Sequence, residues 1–175
     1  MVGHEANMID RLRADGPRAD LADQLDLFGR FIGAWDLEWH GRDLAGAPIV
    51  VSGELHVGWI LGGAAVQDVW RVPLDPGAGR HMRAFHGTTI RFYDSHIGAW
   101  RSTWIDPLNG RVRRFVGRTE GGIIVLDGLD EDPSERWSFR DITPDSFLWR
   151  GESSTDGGRS WVIEDEMLAR RRQAT

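Results

Sequence analysis

Apolar and polar residues alternate with a period of two along most of this chain. The clearest example is the segment 87–107, whose sequence is GTTIRFYDSHIGAWRSTWIDP. Alternation rich in aromatic and β-branched residues, interrupted here at 94–98 by a turn with Asp, Ser and Gly, is typical of a β-hairpin. Both faces of this hairpin mix large apolar side chains with Arg, Ser and Thr. The pattern therefore favours a sheet that curls around a partly polar cavity.

Similar alternating segments on both sides of the hairpin predict further strands. We place them at 35–40, 49–61, 64–72, 111–117, 123–126, 135–140, 147–153 and 161–169, and we expect the first hairpin strand to begin near residue 81. The segments between them are rich in Gly, Asn, Asp and Pro, which suit tight turns. Nine to ten antiparallel strands with hairpin connections predict an all-β, up-and-down barrel, because closure removes the exposed edges of such a sheet.

One short helical segment precedes the strands. Between residues 20 and 32, the apolar residues Leu21, Leu25, Phe28 and Ile32 recur at spacings of three and four, which predicts an amphipathic helix across one mouth of the barrel. We therefore divide the chain into a polar N-terminal extension (1–19), one barrel domain (20–171) and a tail (172–175). The basic run at 170–172 is interpreted as solvated.

Composition and charge exclude several classes of function. A chain of 175 residues suits one domain, and a net charge of −6 argues against nucleic acid as a partner. No apolar run approaches the roughly 18–20 residues that span a bilayer, so we expect no membrane partner. The first sixteen residues contain acids and no apolar core, and cysteine is absent, so we expect a cytoplasmic location without disulfides or thiolate metal sites.

Nine tryptophans accompany a single tyrosine. Indole rings either fill the interior of a barrel or line a pocket for a flat, apolar ligand, and the sequence leaves both alternatives open. The candidates for a pocket wall are Trp39, Trp59, Trp70, Trp100, Trp104 and Trp149. So many aromatic side chains are hard to bury in one small barrel, so we also expect a homodimer.

Polar residues in apolar surroundings are the remaining candidates for chemistry. Asp68 lies between Val66 and Trp70 on an apolar face, where a carboxylate needs a partner. That partner is Arg91, Arg101 or Arg114, either in a structural ion pair or in a pocket that grips a polar head group. His86 directly precedes the central hairpin and is the preferred general base. The histidine spacing predicts no metal site, and solvation with cross-strand pairing explains the charge run 164–166.

An ordered set of short motifs resembles a known superfamily. Gly33-Ala34-Trp35, after a helical segment, is similar to the Gly-x-Trp motif of the calycins, which include lipocalins, fatty-acid-binding proteins and nitrobindin-like barrels. Between residues 25 and 171, the chain most resembles a family of uncharacterised bacterial calycin-like proteins. The motifs that carry this resemblance are 28–35, Gly62-Gly63, Arg91-Phe92-Tyr93-Asp94, Trp104-Ile105-Asp106 and 164–170.

The resemblance implies a barrel with a cavity, closed at one end by Trp35, and implies no particular reaction. Calycins of known function carry small apolar ligands. Nitrobindin-like members bind haem through a histidine on a late strand, whereas the last histidine of this chain is His96. We therefore expect neither haem nor another cofactor.

These arguments predict a protein that binds a small, largely apolar or aromatic molecule. The expected ligand-binding residues are Trp39, His56, Trp70, Arg91, Tyr93, Trp100 and Trp104. The alternative is an enzyme of the same fold, a cyclase or isomerase for a natural-product-type substrate. In that enzyme, His86 or Asp68 would be the acid or base, and the cavity would hold the substrate in its reactive shape.

Overall fold

Ten antiparallel strands close into a barrel in the computed structural model, which describes residues 6–75, 77, 82–129 and 133–173. The N-terminal elements are α1 (Met8–Leu12), β1 (Arg13–Ala14), a 3-10 turn (Ala19–Leu21) and α2 (Ala22–Gly29). The barrel strands are β2 (Gly33–Arg42), β3 (Pro48–Ile60), β4 (Ala65–Val72), β5 (Phe85–Asp94), β6 (Ala99–Asp106), β7 (Arg111–Glu120), β8 (Ile123–Gly128), β9 (Ser134–Arg140), β10 (Ser146–Ser154) and β11 (Val162–Arg171).

Each barrel strand pairs with the next one along the chain, and β11 pairs with β2 to close the sheet. The prediction of an up-and-down barrel is confirmed. The first strand of the central hairpin begins at Phe85 rather than near residue 81, which lies outside the described residues. The two-residue strand β1, which pairs with the end of β3, was not predicted. At the β3–β4 turn, Gly62 and Gly63 have φ values of 65° and 79°, which glycine adopts without steric cost.

The alternation of residue types sets which side chains enter the barrel. On β2, Trp35, Leu37 and Trp39 are buried, whereas Asp36 and Glu38 between them are exposed. On the central hairpin, the fully buried inward residues include Thr89 and Arg91 of β5 and Trp100, Ser102 and Trp104 of β6. The interior is therefore mainly aromatic, with polar groups concentrated on neighbouring strands.

Helix α2 closes one end of the barrel. Its sequence is amphipathic, and its two buried residues are Leu25 and Phe28. The Phe28 ring packs edge-on against Trp100, with a centroid distance of 4.7 Å. A Cβ atom on Gly29 would lie 2.7 Å from the Trp59 ring, so glycine at this position lets the helix approach β3 closely. The predicted helix across one mouth is confirmed.

Trp35 and Arg171 fix the segment that follows α2. Trp35 is fully buried, and its Nε1 donates a hydrogen bond of 2.8 Å to the Phe31 carbonyl. The Arg171 guanidinium lies 4.1 Å from the centre of the Trp35 ring and donates to the carbonyls of Ile32 and Arg30. The basic run at 170–172 is therefore more than a solvated tail, because Arg171 satisfies carbonyls that follow the helix.

A buried ion pair lies beside this closed end. Asp68 and Arg91 are each only 2% exposed, and Arg91 Nη1 donates to Asp68 Oδ2. The other carboxylate oxygen, Oδ1, accepts the Thr89 backbone N–H at 2.9 Å. The Arg91 guanidinium also lies 5.1 Å from the centre of the Phe28 ring. Of the three arginines considered from the sequence, Arg91 is the partner, and it links β4 and β5 to helix α2.

One barrel accommodates most of the indole rings. Trp35, Trp39, Trp70, Trp100, Trp104 and Trp149 are each 8% exposed or less. We expected a homodimer because a single barrel seemed too small to bury so many tryptophans. Since one barrel buries six of them, their number no longer argues for a homodimer.

Among the residues that the structure describes, neither helix has the length and apolar character needed to cross a bilayer.

Breaking the buried ion pair from one side will destabilise the fold strongly. We expect Arg91→Met to lower the free energy of unfolding by about 3–5 kcal/mol, because the Asp68 carboxylate stays buried without its counter-charge. The double variant Asp68→Val/Arg91→Met will lose much less than the sum of the two single variants. Urea unfolding measures all three. The control Arg101→Met, which breaks the more exposed pair with Asp94, will lose much less. Strictly additive losses would contradict this account of the pair.

Candidate functional site

A cavity of about 530 Å³ occupies the end of the barrel opposite helix α2. Its size is in the range that takes a small organic molecule. Its wall is built from inward-facing residues at the far ends of the strands, together with rim residues such as Arg83 and Asn109. The cavity therefore lies at the end of the barrel that helix α2 does not fill.

Five indole rings line the cavity. Three consecutive contacts join four of them: Trp104 with Trp137 at 6.0 Å, Trp137 with Trp149 at 5.4 Å, and Trp149 with Trp70 at 6.1 Å between ring centroids. Trp39 on β2 is the fifth. Tilted and edge-to-face contacts of this kind hold each ring in a defined orientation. The wall is thus an aromatic surface whose rings pack against one another without a ligand.

Glycines on the inner face let these rings lie against the sheet. A Cβ atom on Gly87 would lie 2.4 Å from the Trp104 ring, and a Cβ atom on Gly41 would lie 2.1 Å from the Trp39 ring. Any larger residue there would push an indole toward the centre of the barrel. These glycines therefore keep the aromatic side chains along the wall and leave the cavity open.

Asp165 is a half-buried acidic side chain that lies beside these rings. It lies on β11 in the same inward register as Met167 and Ala169, and its Oδ2 accepts a hydrogen bond of 2.8 Å from Trp39 Nε1. Burial raises the pKa of Asp165 to about 6, although the hydrogen bond from Trp39 opposes this increase. Nearby Glu164 also raises this pKa, whereas Arg111 lowers it. The carboxyl group therefore changes its charge close to neutral pH.

Charged residues of both signs surround the mouth of the cavity. Arg113 pairs with Glu135, with 3.1 Å between Nε and Oε2. The other charged residues of the lining are Arg42, Arg83, Asp106, Arg111, Glu152 and Glu164. Among the described residues, no group of three His, Asp or Glu side chains is arranged to hold a metal ion. The site is an aromatic cavity with charged residues around its mouth and a half-buried acid, Asp165, on its wall.

Three of the predicted ligand-binding residues, Trp39, Trp70 and Trp104, line this cavity. The other three inward-facing candidates lie elsewhere. Arg91 is paired with Asp68, and Tyr93 packs against Trp100 at 6.3 Å between ring centroids, next to Phe28 of helix α2. Arg91, Tyr93 and Trp100 therefore build the closed end and do not belong to the cavity wall.

The two histidines among the predicted site residues lie on the outside of the barrel, contrary to the prediction. His56 is exposed because Leu55 and Val57 take the inward positions of β3. Its Nε2 lies 3.4 Å from Glu54 Oε2. His86 is exposed because Phe85 and Gly87 are the inward residues of β5. Neither ring reaches the cavity. Asp68, the other candidate acid or base, is held by Arg91.

Sequence reasoning missed Asp165 as a site residue because it was interpreted as part of the solvated charge run 164–166. The signal that identifies it is the period-two register with Met167 and Ala169, both of which are buried. Trp149 was named only as a candidate for the wall, and Trp137 was not considered, although both line the cavity.

Comparison with known proteins finds structures of similar fold and identifies no family for this chain. No protein-family model and no curated protein match this chain. The solved structure of the S-type phycobiliprotein lyase CpeS from Guillardia theta is similar, with a TM-score of 0.57 and 12% identity over 86% of this chain and 93% of that one. The crystal structure of Rv2717c from M. tuberculosis has a TM-score of 0.58 and 13% identity over 90% of this chain and 99% of that one. At these identities the likeness shows the fold alone, a closed antiparallel β-barrel.

Replacing the buried acid with its neutral counterpart will stabilise the protein above neutral pH. Because folding raises the pKa of Asp165 from 3.8 to about 6, its ionisation in the folded state costs up to about 3 kcal/mol at pH 8 and almost nothing at pH 4. We expect Asp165→Asn to increase the free energy of unfolding at pH 8 by about 1–3 kcal/mol, with little change at pH 4. Urea unfolding at both pH values tests this.

The matched control is Glu38→Gln, which neutralises an exposed acid on the neighbouring strand β2. It should change stability much less than Asp165→Asn at pH 8. Equal stability of wild type and Asp165→Asn at pH 8 would show that the carboxyl group is not desolvated.

Proposed function

We propose that this protein binds a small, largely apolar or aromatic molecule in the barrel cavity. The observation that carries this proposal is the cavity of about 530 Å³ whose wall contains five indole rings. Indole faces offer a large apolar contact area and stack on planar groups. Because the rings already pack against one another, binding would cost less conformational entropy in these side chains.

The division of the barrel into two ends supports this interpretation. Phe28 and Trp35 fill one end, whereas glycines at the other end hold the indoles back from the centre. A barrel with a purely structural role would gain stability from filling that space. The likeness to CpeS, whose name describes a phycobiliprotein lyase, agrees with a barrel that handles a small molecule.

Binding of a neutral aromatic probe tests the proposal. N-phenyl-1-naphthylamine increases its fluorescence in apolar surroundings and carries no charge at neutral pH. We expect it to bind the wild type, and we expect Trp104→Ala and Trp149→Ala to weaken its affinity about three- to tenfold, because each removes stacking area. The control is Trp161→Ala. The Trp161 ring packs on Arg136, outside the cavity, so its removal should leave the affinity unchanged.

Two outcomes would contradict the proposal. The first is the absence of any fluorescence increase with the wild type. The second is that all three tryptophan variants bind the probe as tightly as the wild type does, which would place the probe outside the cavity.

A second candidate function, an acid–base isomerase or cyclase, is favoured by Asp165. Its pKa of about 6 suits a group that both accepts and returns a proton at neutral pH. In an isomerisation, the carboxylate would take a proton from a substrate carbon and return it at another atom, with no net transfer. This role replaces the ones first assigned to His86 and Asp68.

Turnover and binding separate the two candidates. In an enzyme, Asp165→Asn would lower turnover of the bound compound about 100-fold or more while the neutral probe still binds within about threefold. A binding protein would show no conversion of its occupant, as measured by chromatography before and after incubation with wild type.

A further inference from the structure

The Asp165 carboxylate has no ion-pair partner among the described residues. Trp39 Nε1 donates to one of its oxygens, Oδ2. Within the part of the chain that the structure describes, no hydrogen bond reaches Oδ1, and no Arg or His side chain lies within ion-pair distance of this carboxylate. A half-buried carboxylate that is desolvated and has no ion-pair partner is costly, so its presence here reduces stability.

The other carboxylate oxygen lies beside an indole ring. A Cβ atom on Gly151 would be 2.6 Å from Asp165 Oδ1 and 2.9 Å from the Trp149 ring, so the oxygen and the ring flank the same glycine. The faces of indole rings are electrostatically negative and attract cations within about 6 Å of the ring centre. The carboxylate and the aromatic wall therefore favour the same kind of charge at the same place.

We propose that the molecule bound in this cavity carries a protonated amine, which pairs with Asp165 while the indoles contact the amine and the apolar body. This inference rests on the proposed function, and it adds the chemical class of the ligand. An ammonium group would donate to Oδ1, supply the missing counter-charge and remain among aromatic faces that attract it.

Among the described residues, the charged groups around the cavity form no ion pair with Asp165, although Arg111 lowers its pKa from a greater distance. Glu164 on β11, Glu152 on β10 and Glu135 on β9 are themselves acidic, and Glu135 pairs with Arg113 of β7. Arg111 of β7 and Arg42 of β2 belong to the lining without a salt bridge to Asp165 among the described residues. These arginines offer an anionic group a place at the rim, so an anionic probe is the informative comparison.

Three indole derivatives with one ring system separate the possibilities. Tryptamine is cationic, 3-ethylindole is neutral, and indole-3-propionate is anionic at pH 7.5. By isothermal titration calorimetry, we expect tryptamine to bind at least tenfold more tightly than either of the others. Asp165→Asn should reduce this preference over 3-ethylindole to about twofold or less while 3-ethylindole keeps its affinity. The control Glu38→Gln, which neutralises an exposed acid on the outer face of β2 and outside the cavity lining, should keep the preference.

The preference should also depend on pH. The alkylamine stays protonated between pH 5 and 7.5, whereas only about a tenth of the Asp165 carboxyls are ionised at pH 5 when the pKa is about 6. Tryptamine should therefore bind about tenfold more weakly at pH 5 than at pH 7.5, and 3-ethylindole should bind equally at both.

The outcomes distinguish this inference from the proposed function. If 3-ethylindole or indole-3-propionate binds as tightly as tryptamine, or if Asp165→Asn leaves the amine preference intact, the inference is overturned and the binding cavity stands. If none of the three compounds binds and N-phenyl-1-naphthylamine does not bind either, the proposed function fails, and the inference fails with it.

Discussion

The width of the barrel is the constraint on which the rest of this structure depends. Eight strands enclose a space that inward side chains just fill, and ten strands enclose more. Closure of ten strands therefore leaves a volume that the sheet alone cannot occupy. This protein fills one half of that volume with helix α2 and the rings of Phe28, Phe31 and Trp35, and leaves the other half as a cavity.

The two ends of the barrel differ in whether an inward-facing acidic side chain has an ion-pair partner. At the closed end, Asp68 has a full partner in Arg91, whose guanidinium also contacts Phe28, so the charge is compensated and helps to position the helix. At the open end, Asp165 accepts a single hydrogen bond from Trp39 and has no ion-pair partner among the described residues. Paired buried charges are typical of structural positions, whereas an uncompensated one in a cavity is typical of a site.

Much of the fold follows from local patterns in the sequence. Period-two alternation and the turn residues between segments predict the strands, and the spacing of Leu25 and Phe28 predicts the closing helix. The candidate site is less predictable, because it depends on which end of the barrel an inward residue reaches. Trp100 and Trp104 share one face of β6, yet only Trp104 lines the cavity. This distinction arises from strand stagger and from the position of α2, neither of which is local.

Individual errors have similar causes. His56 and His86 were placed in the cavity because residues of mixed polarity occupy both faces of their strands, so alternation alone does not identify the inner face. Asp165 was overlooked because acidic neighbours on both sides mask its register with Met167. In each case the interior face is decided by pairing across the closed sheet, which the sequence of one strand does not contain.

Native mass spectrometry tests the central claim, that the open end of the barrel holds a small molecule. The protein would be incubated with a small-molecule extract of its own host cells and measured under native and denaturing conditions. We expect one additional mass per barrel that disappears on denaturation and contains a basic nitrogen. The bare protein mass at every extract concentration would contradict the claim that this cavity is a binding site.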